Sequence, residues 1–150
     1  MTSMKRRIFL KGSLASGAIG MAVGTGLLTP RIALAAWSKE AFEATDVDGA
    51  LNGLFGSSDL TGSDSIKIKA PDIAENGAVV PITVSTDISG ASSISILAEK
   101  NAQPLAASFD LGPGAEGYVS TRIKMGKTAS VIAVVKAGGK LYSTGKEVKV

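Results

Sequence analysis

From Ser65 onward the chain alternates apolar and polar residues, and this period of two is the feature that most narrows the possible folds. Only a strand sends successive side chains to opposite faces, so a chain patterned this way builds sheets with one buried and one open face. Ser65-Ile66-Lys67-Ile68-Lys69 alternates cleanly, and Ala78-Val79-Val80-Pro81-Ile82-Thr83-Val84 is the next run. Ile94-Ser95-Ile96-Leu97, residues 105–111, residues 118–124 and the continuous apolar stretch 131–135 follow, and Leu141-Tyr142 opens a last segment ending in Val148-Lys149-Val150. That makes about seven short strands.

Turn chemistry separates these runs. Glu75-Asn76-Gly77 carries an Asn-Gly pair that accepts positive φ at both centres of a tight turn, and Gly138-Gly139 does the same between the last two strands. Gly112-Pro113-Gly114 interrupts the chain before Tyr118. Pro81 stands inside a strand run, which predicts an edge strand or a bulge there, because proline has no N–H to give a ladder. The pattern predicts a mostly β, immunoglobulin-like antiparallel sandwich.

Residues 38–55 keep a different period. Val47, Leu51, Leu54 and Phe55 recur at helical spacing, with Phe42 upstream. Ser38 is the expected N-cap of a first helical segment and Asp46 of a second, with Gly56-Ser57-Ser58 closing the run. Asp46 and Asp48 are read as helix-start acids rather than metal ligands. The apolar stripe is expected to pack on the sandwich, making an N-terminal helix of the domain.

The first 35 residues do not belong to that pattern. Lys5, Arg6, Arg7 and Lys11 form a basic head, a small and weakly apolar run covers 12–28, and Ala33-Leu34-Ala35-Ala36 has the small-x-small form of a signal-peptidase site. The run is rich in Gly, Ala and Ser, which argues against a permanent membrane anchor. Arg6, Arg7, Phe9, Leu10 and Lys11 resemble the twin-arginine export motif. The expected division is a twin-arginine signal peptide over 1–35, cut at Ala33-x-Ala35, and one domain over 36–150 in the periplasm. Trp37, just past the cut, is read as unordered or packed on the helix.

Export removes the apparent basicity. The whole chain is formally +3, but five of its 16 Lys and Arg and none of its 13 Asp and Glu precede the cut. The remainder has 11 basic and 13 acidic residues, net −2, so nothing here argues for nucleic acid as a partner. The chain has no cysteine and no histidine. Thiolate or imidazole metal sites and Ser-His or Cys-His catalytic pairs are therefore impossible within it. The acids are scattered, so no metal, cofactor or catalytic residue is expected. Arg122 and Lys124 are read as outward charges on an alternating strand, with contact to an anionic substrate or partner as the alternative. Met125 is read as a strand-end core residue, with an interface anchor as the alternative.

Four blocks, taken together, resemble the SoxY family of thiosulfate-oxidation carriers. They are Leu54-Phe55-Gly56 with the run from Lys69 through Asn76-Gly77-Ala78-Val79-Val80-Pro81; the run from Ile96 through Glu99-Lys100-Asn101 to Ala106; Tyr118-Val119-Ser120-Thr121-Arg122-Ile123-Lys124-Met125-Gly126; and 131–135 on to Lys149-Val150. The resemblance runs in order from about Phe42 to Val150. It implies a carrier, not an enzyme: a periplasmic subunit paired with SoxZ that holds sulfur intermediates on the cysteine of a flexible Gly-Gly-Cys-Gly-Gly arm. A Sox cytochrome complex would load that cysteine, and a sulfur hydrolase and a sulfur dehydrogenase would process the cargo. Glycines give such an arm reach with little bulk, and a thiolate is the nucleophile this chemistry needs. Here the sequence stops at Val150 without a cysteine, so the sulfur-bearing residue is expected beyond it. A truncated sequence, an arm-less paralogue acting as a scaffold and a relic are the three explanations, the first being the expectation. A SoxYZ-like carrier associated with a quinoprotein dehydrogenase is the neighbouring alternative, and a purely structural exported sandwich the more distant one.

Overall fold

The alternating runs become two sheets packed face to face. The computed structural model describes residues 38–150. Among them are two helices, α1 (Lys39–Glu43) and α2 (Val47–Phe55), and eight strands. The strands are β1 (Thr61–Gly62), β2 (Ile66–Lys69), β3 (Val80–Thr86), β4 (Ala91–Ala98), β5 (Leu105–Asp110), β6 (Tyr118–Ile123), β7 (Ala129–Ala137) and β8 (Lys140–Val148). One sheet has the order β1-β8-β7-β4-β5 and the other β2-β3-β6. The immunoglobulin-like sandwich is as expected, with one more strand. The extra strand, β1, is only two residues long and pairs in parallel with β8 through Thr61↔Tyr142 and Gly62↔Ser143. Two residues cannot display an alternation, which is why the period misses it.

The interior follows the alternation. Ile66, Val80, Ile82 and Val84 from the smaller sheet meet Ile94, Ile96, Val131, Ala133 and Val135 from the larger. The residues between them face out. On the larger sheet that outer face is apolar too, since Leu97, Leu105, Val134 and Leu141 form a second core with Ala41, Ala50 and Leu51 of the helices. Phe42, Val47, Leu54 and Phe55 pack against it, so the helical stripe does lie on the sandwich. Burying Leu51 alone contributes about 2 kcal/mol. The outer face of β2-β3-β6 has no such cover among the described residues; its pattern is exposed or half-exposed at every second position.

Local signals fare unevenly. Asp46 caps α2 as expected, its carboxylate accepting from Gly49 N at 2.6 Å. Gly56, at φ 72°, ends that helix. Ser38 stands at the N-cap of α1 but makes no capping bond; its hydroxyl donates to Gly53 O at 2.8 Å and ties the two helices together. Gly138 and Gly139 take φ of 56° and 76° between the paired Ala137 and Lys140, the expected two-residue hairpin.

Two expectations are corrected. Asn76-Gly77 is not a positive-φ hairpin turn, since neither residue has positive φ. Asn76 instead accepts on its side chain from Ala78 N at 3.0 Å, while its carbonyl accepts from Val79 N at 3.2 Å. Pro81 lies in β3, which is the central strand of its sheet and not an edge. The register explains how. Thr86 N donates to Gly117 O, which makes the even positions of β3 the hydrogen-bonded partners of β6 and turns the odd positions toward β2. β2 ends at Lys69, opposite Thr83. Continuing that register sets Pro81 against Pro71, past the end of β2, so the missing N–H has no ladder to break.

Candidate functional site at the end of the last strand

Four chain segments converge where β8 ends. Beyond Val148 the backbone is held on both sides. Lys149 N donates to Asp72 O at 3.0 Å and Lys149 O accepts from Ala74 N at 2.8 Å, a parallel bridge to Ile73. On the other side Val150 N donates to the Thr128 hydroxyl at 3.0 Å. Lys146 secures the 70–79 loop, donating to Ala70 O at 2.7 Å and lying 3.0 Å from the Asp72 carboxylate. Asp72 is largely exposed, so the bond to the Ala70 carbonyl is the stronger tie.

Gly77 closes this corner from within. Its carbonyl accepts from Met125 N at 2.7 Å. A Cβ placed at Gly77 would lie 2.5 Å from Met125 O and 2.5 Å from Val150 Cγ1. The position therefore admits only glycine, for reasons of space rather than dihedral angle. Asn101 braces the same corner from the 99–104 loop. Its amide donates to Lys124 O at 2.7 Å and accepts from Gly126 N at 3.0 Å, clamping the turn that leads from β6 to β7. The outer rim is apolar: Ile73, Val79 and Val150, three of the four large exposed hydrophobic residues among those described, all belong to these segments.

This corner has a shape but no reactive group. Its hydroxyl, Thr128, is committed to the backbone of Val150, and the described residues hold no cluster of His, Cys, Asp or Glu fit for a metal. What the arrangement can do is fix the point and direction in which the chain leaves β8.

The sequence-predicted residues fall as follows. Arg6, Arg7, Phe9, Leu10, Lys11, Ala33, Ala35 and Trp37 lie outside the described residues. No helix among the described residues is long and apolar enough to cross a membrane. Asp46 is a cap, and Asp48 sits exposed in the first turn of α2. Arg122 and Lys124 are exposed, in the outward row of β6 and just beyond it. Met125 is buried in the sandwich core, at 2 % exposure. Asn101 and Thr128 were not singled out from sequence. Each acts through one polar side chain on backbone brought from elsewhere in the chain, which leaves no periodic mark.

The model of the family described as "Sulfur oxidation protein SoxY" matches residues 51–150, two thirds of the chain. The chain belongs to the SoxY family. The match takes in every strand of the sandwich and the whole of the corner just described, and it begins inside α2. Among solved structures, the sulfur carrier protein SoxY from Chlorobium limicola f thiosulfatophilum is similar to it at 50% sequence identity and a TM-score of 0.65. That likeness covers 77% of this chain and 100% of the other. No curated protein sequence matches. The immunoglobulin-like sandwich expected from the alternation is thus the SoxY fold.

Proposed function

We propose that this chain is the sulfur-carrier subunit of a periplasmic thiosulfate-oxidising system. The observation that carries the reading is the 50% identity to a SoxY sulfur carrier protein across that protein's full resolved chain. In this reading the domain is a platform and not a catalyst. Sulfur intermediates ride on the cysteine of a glycine-rich arm that continues from β8, and the corner built by Gly77, Thr128 and Asn101 sets the root of that arm. The chain pairs with SoxZ and presents its cargo in turn to the Sox cytochrome complex, the sulfur hydrolase and the sulfur dehydrogenase.

Pairing is tested by co-expressing residues 36–150 with the SoxZ of the same organism. The two should elute as one heterodimer from a size-exclusion column at micromolar concentration. Separate elution would count against the carrier reading.

Export belongs to the same proposal: residues 1–35 act as a twin-arginine signal peptide read through Arg6 and Arg7. Replacing both with lysine should leave most of the full-length precursor in the cytoplasm. Undiminished periplasmic accumulation of the double variant would exclude that route.

A further inference from the structure

The outer face of the β2-β3-β6 sheet is charged in one sense only. Strand alternation turns eight side chains outward there: Lys67 and Lys69 from β2, positions 81, 83 and 85 from β3, and positions 118, 120 and 122 from β6. Lys67, Lys69 and Arg122 give that face +3, and none of its positions is acidic. Lys124 extends the same row one step past β6 and is exposed. The rest of the domain is acidic overall, since residues 36–150 total −2. The nearest acids in sequence, Asp64, Asp72, Asp87 and Glu116, all lie beyond the ends of β2, β3 and β6 and not on the face, and Asp72 is paired with Lys146.

None of the four cations forms an ion pair. The only ion pairs among the described residues are Lys39–Glu43 and Lys146–Asp72. Lys67 and Lys69 stand about 7 Å apart along one edge. Between them and Arg122 lie short hydroxyl side chains, with Thr83 and Ser120 joined at 3.0 Å. The surface is therefore low, and nothing on it neutralises the charge.

The face is also apolar at defined points. Tyr118 is 56% exposed and Val79, which precedes β3 on the outward parity, is 50% exposed. Pro81 is exposed between them and lines, with Pro71 and the two lysines, an open groove of about 690 Å³. Cations alone would suit any polyanion. Cations interleaved with an exposed aromatic ring, a proline and a valine suit a surface offering both carboxylates and apolar side chains, because burying these anchors needs an apolar counterpart.

We propose that this sheet face is a docking surface for an acidic protein. The inference stands on the charge and exposure of these residues and does not depend on the carrier reading. Three strands about 4.8 Å apart and a few residues long expose a few hundred Å², less than the roughly 800 Å² per partner of a stable complex. The contact is accordingly transient and salt-sensitive, with charge governing the rate of encounter.

The test uses residues 36–150 labelled with ¹⁵N and titrated with a soluble glutamate–tyrosine copolymer, poly-L-glutamate, a heparin hexasaccharide, and vesicles of phosphatidylglycerol and phosphatidylcholine. The copolymer should shift amide signals of β2, β3 and β6 and bind several-fold more tightly than the other three probes. Raising ionic strength until the Debye length falls from about 10 Å to about 3 Å should abolish the shifts. The triple variant K67E/K69E/R122E should lose about tenfold or more in affinity for the copolymer. K100E/K127E/K140E, which reverses three exposed lysines elsewhere, should lose less than about twofold. An unchanged melting temperature for both variants ties the losses to charge. Shifts spread over lysines outside the face, equal losses in the two triple variants, or binding of heparin or vesicles as tight as that of the copolymer would each overturn the proposal.

Discussion

Residues 36–150, incubated with thiosulfate, the Sox cytochrome complex and an oxidant, should gain no mass, whereas the same residues extended by a short linker and Gly-Gly-Cys-Gly-Gly should gain a covalent sulfur adduct. The 150 residues contain no thiol. Joining thiosulfate to a carrier forms a new S–S bond between a thiolate and the terminal sulfur, releasing two electrons, which the cytochrome complex accepts and passes to the oxidant. No other side chain in this domain offers that nucleophile. The adduct should disappear on reduction, because a thiol reductant attacks the S–S bond and regenerates the free cysteine. The sandwich should be indifferent to the tail, since β8 is paired with β7 along its length and Lys149 and Val150 beyond it are held by Asp72, Ala74 and Thr128. The readout is intact-protein mass before and after reductant. An adduct on the untailed domain would remove the need for an arm. A tail left unmodified beside a working SoxY–SoxZ pair would favour the scaffold reading.

How much of this was legible in the sequence depended on the range over which each signal acts. Asp46 and Gly138-Gly139 were read correctly because each does its work within a few residues: a carboxylate three positions from an amide, two glycines between adjacent paired strands. The sandwich and the helical stripe lying on it were legible for the same reason, since each alternation records itself along a few neighbouring residues; the second core that Leu97, Val134 and Leu141 build under the helices was not. Pro81 was placed on the wrong kind of strand because a proline's cost depends on which neighbour its nitrogen faces, and that turns on where β2 stops. Asn76-Gly77 has the letters of a hairpin turn, yet Gly77 is needed for space against Met125 and Val150, residues far along the chain. Asn101 and Thr128 escaped notice on the same ground. The family was visible nonetheless, because its blocks contain Asn76, Gly77, Pro81 and Asn101 even where their purpose was not deduced.

Gly77→Ala should be among the most damaging single-methyl additions in the domain, lowering stability by about 2–3 kcal/mol. The new Cβ would lie 2.5 Å from Met125 O, well inside contact distance, and backbone on a bridging turn cannot swing aside as a side-chain tip can. Relief requires the 70–79 loop to lift, which stretches the Met125 N to Gly77 O bond of 2.7 Å and displaces Val150. Met125 is a buried core residue, so the strain is passed into the sandwich and not dissipated at the surface. Gly62→Ala is the control. Nothing lies within 4 Å of a Cβ there, and its φ is not positive, so the change should stay within about 0.5 kcal/mol. Urea unfolding of the two variants beside the parent protein measures the difference, and for a domain of this size the Gly77 variant should melt roughly 10 °C lower. Amide exchange should quicken at Ala74, Met125 and Val150, three of the residues whose N–H groups tie the corner together, before it quickens in β7. A Gly77→Ala protein as stable as Gly62→Ala, with those three amides still protected, would show that the corner is slack and does not set the direction in which the chain leaves β8.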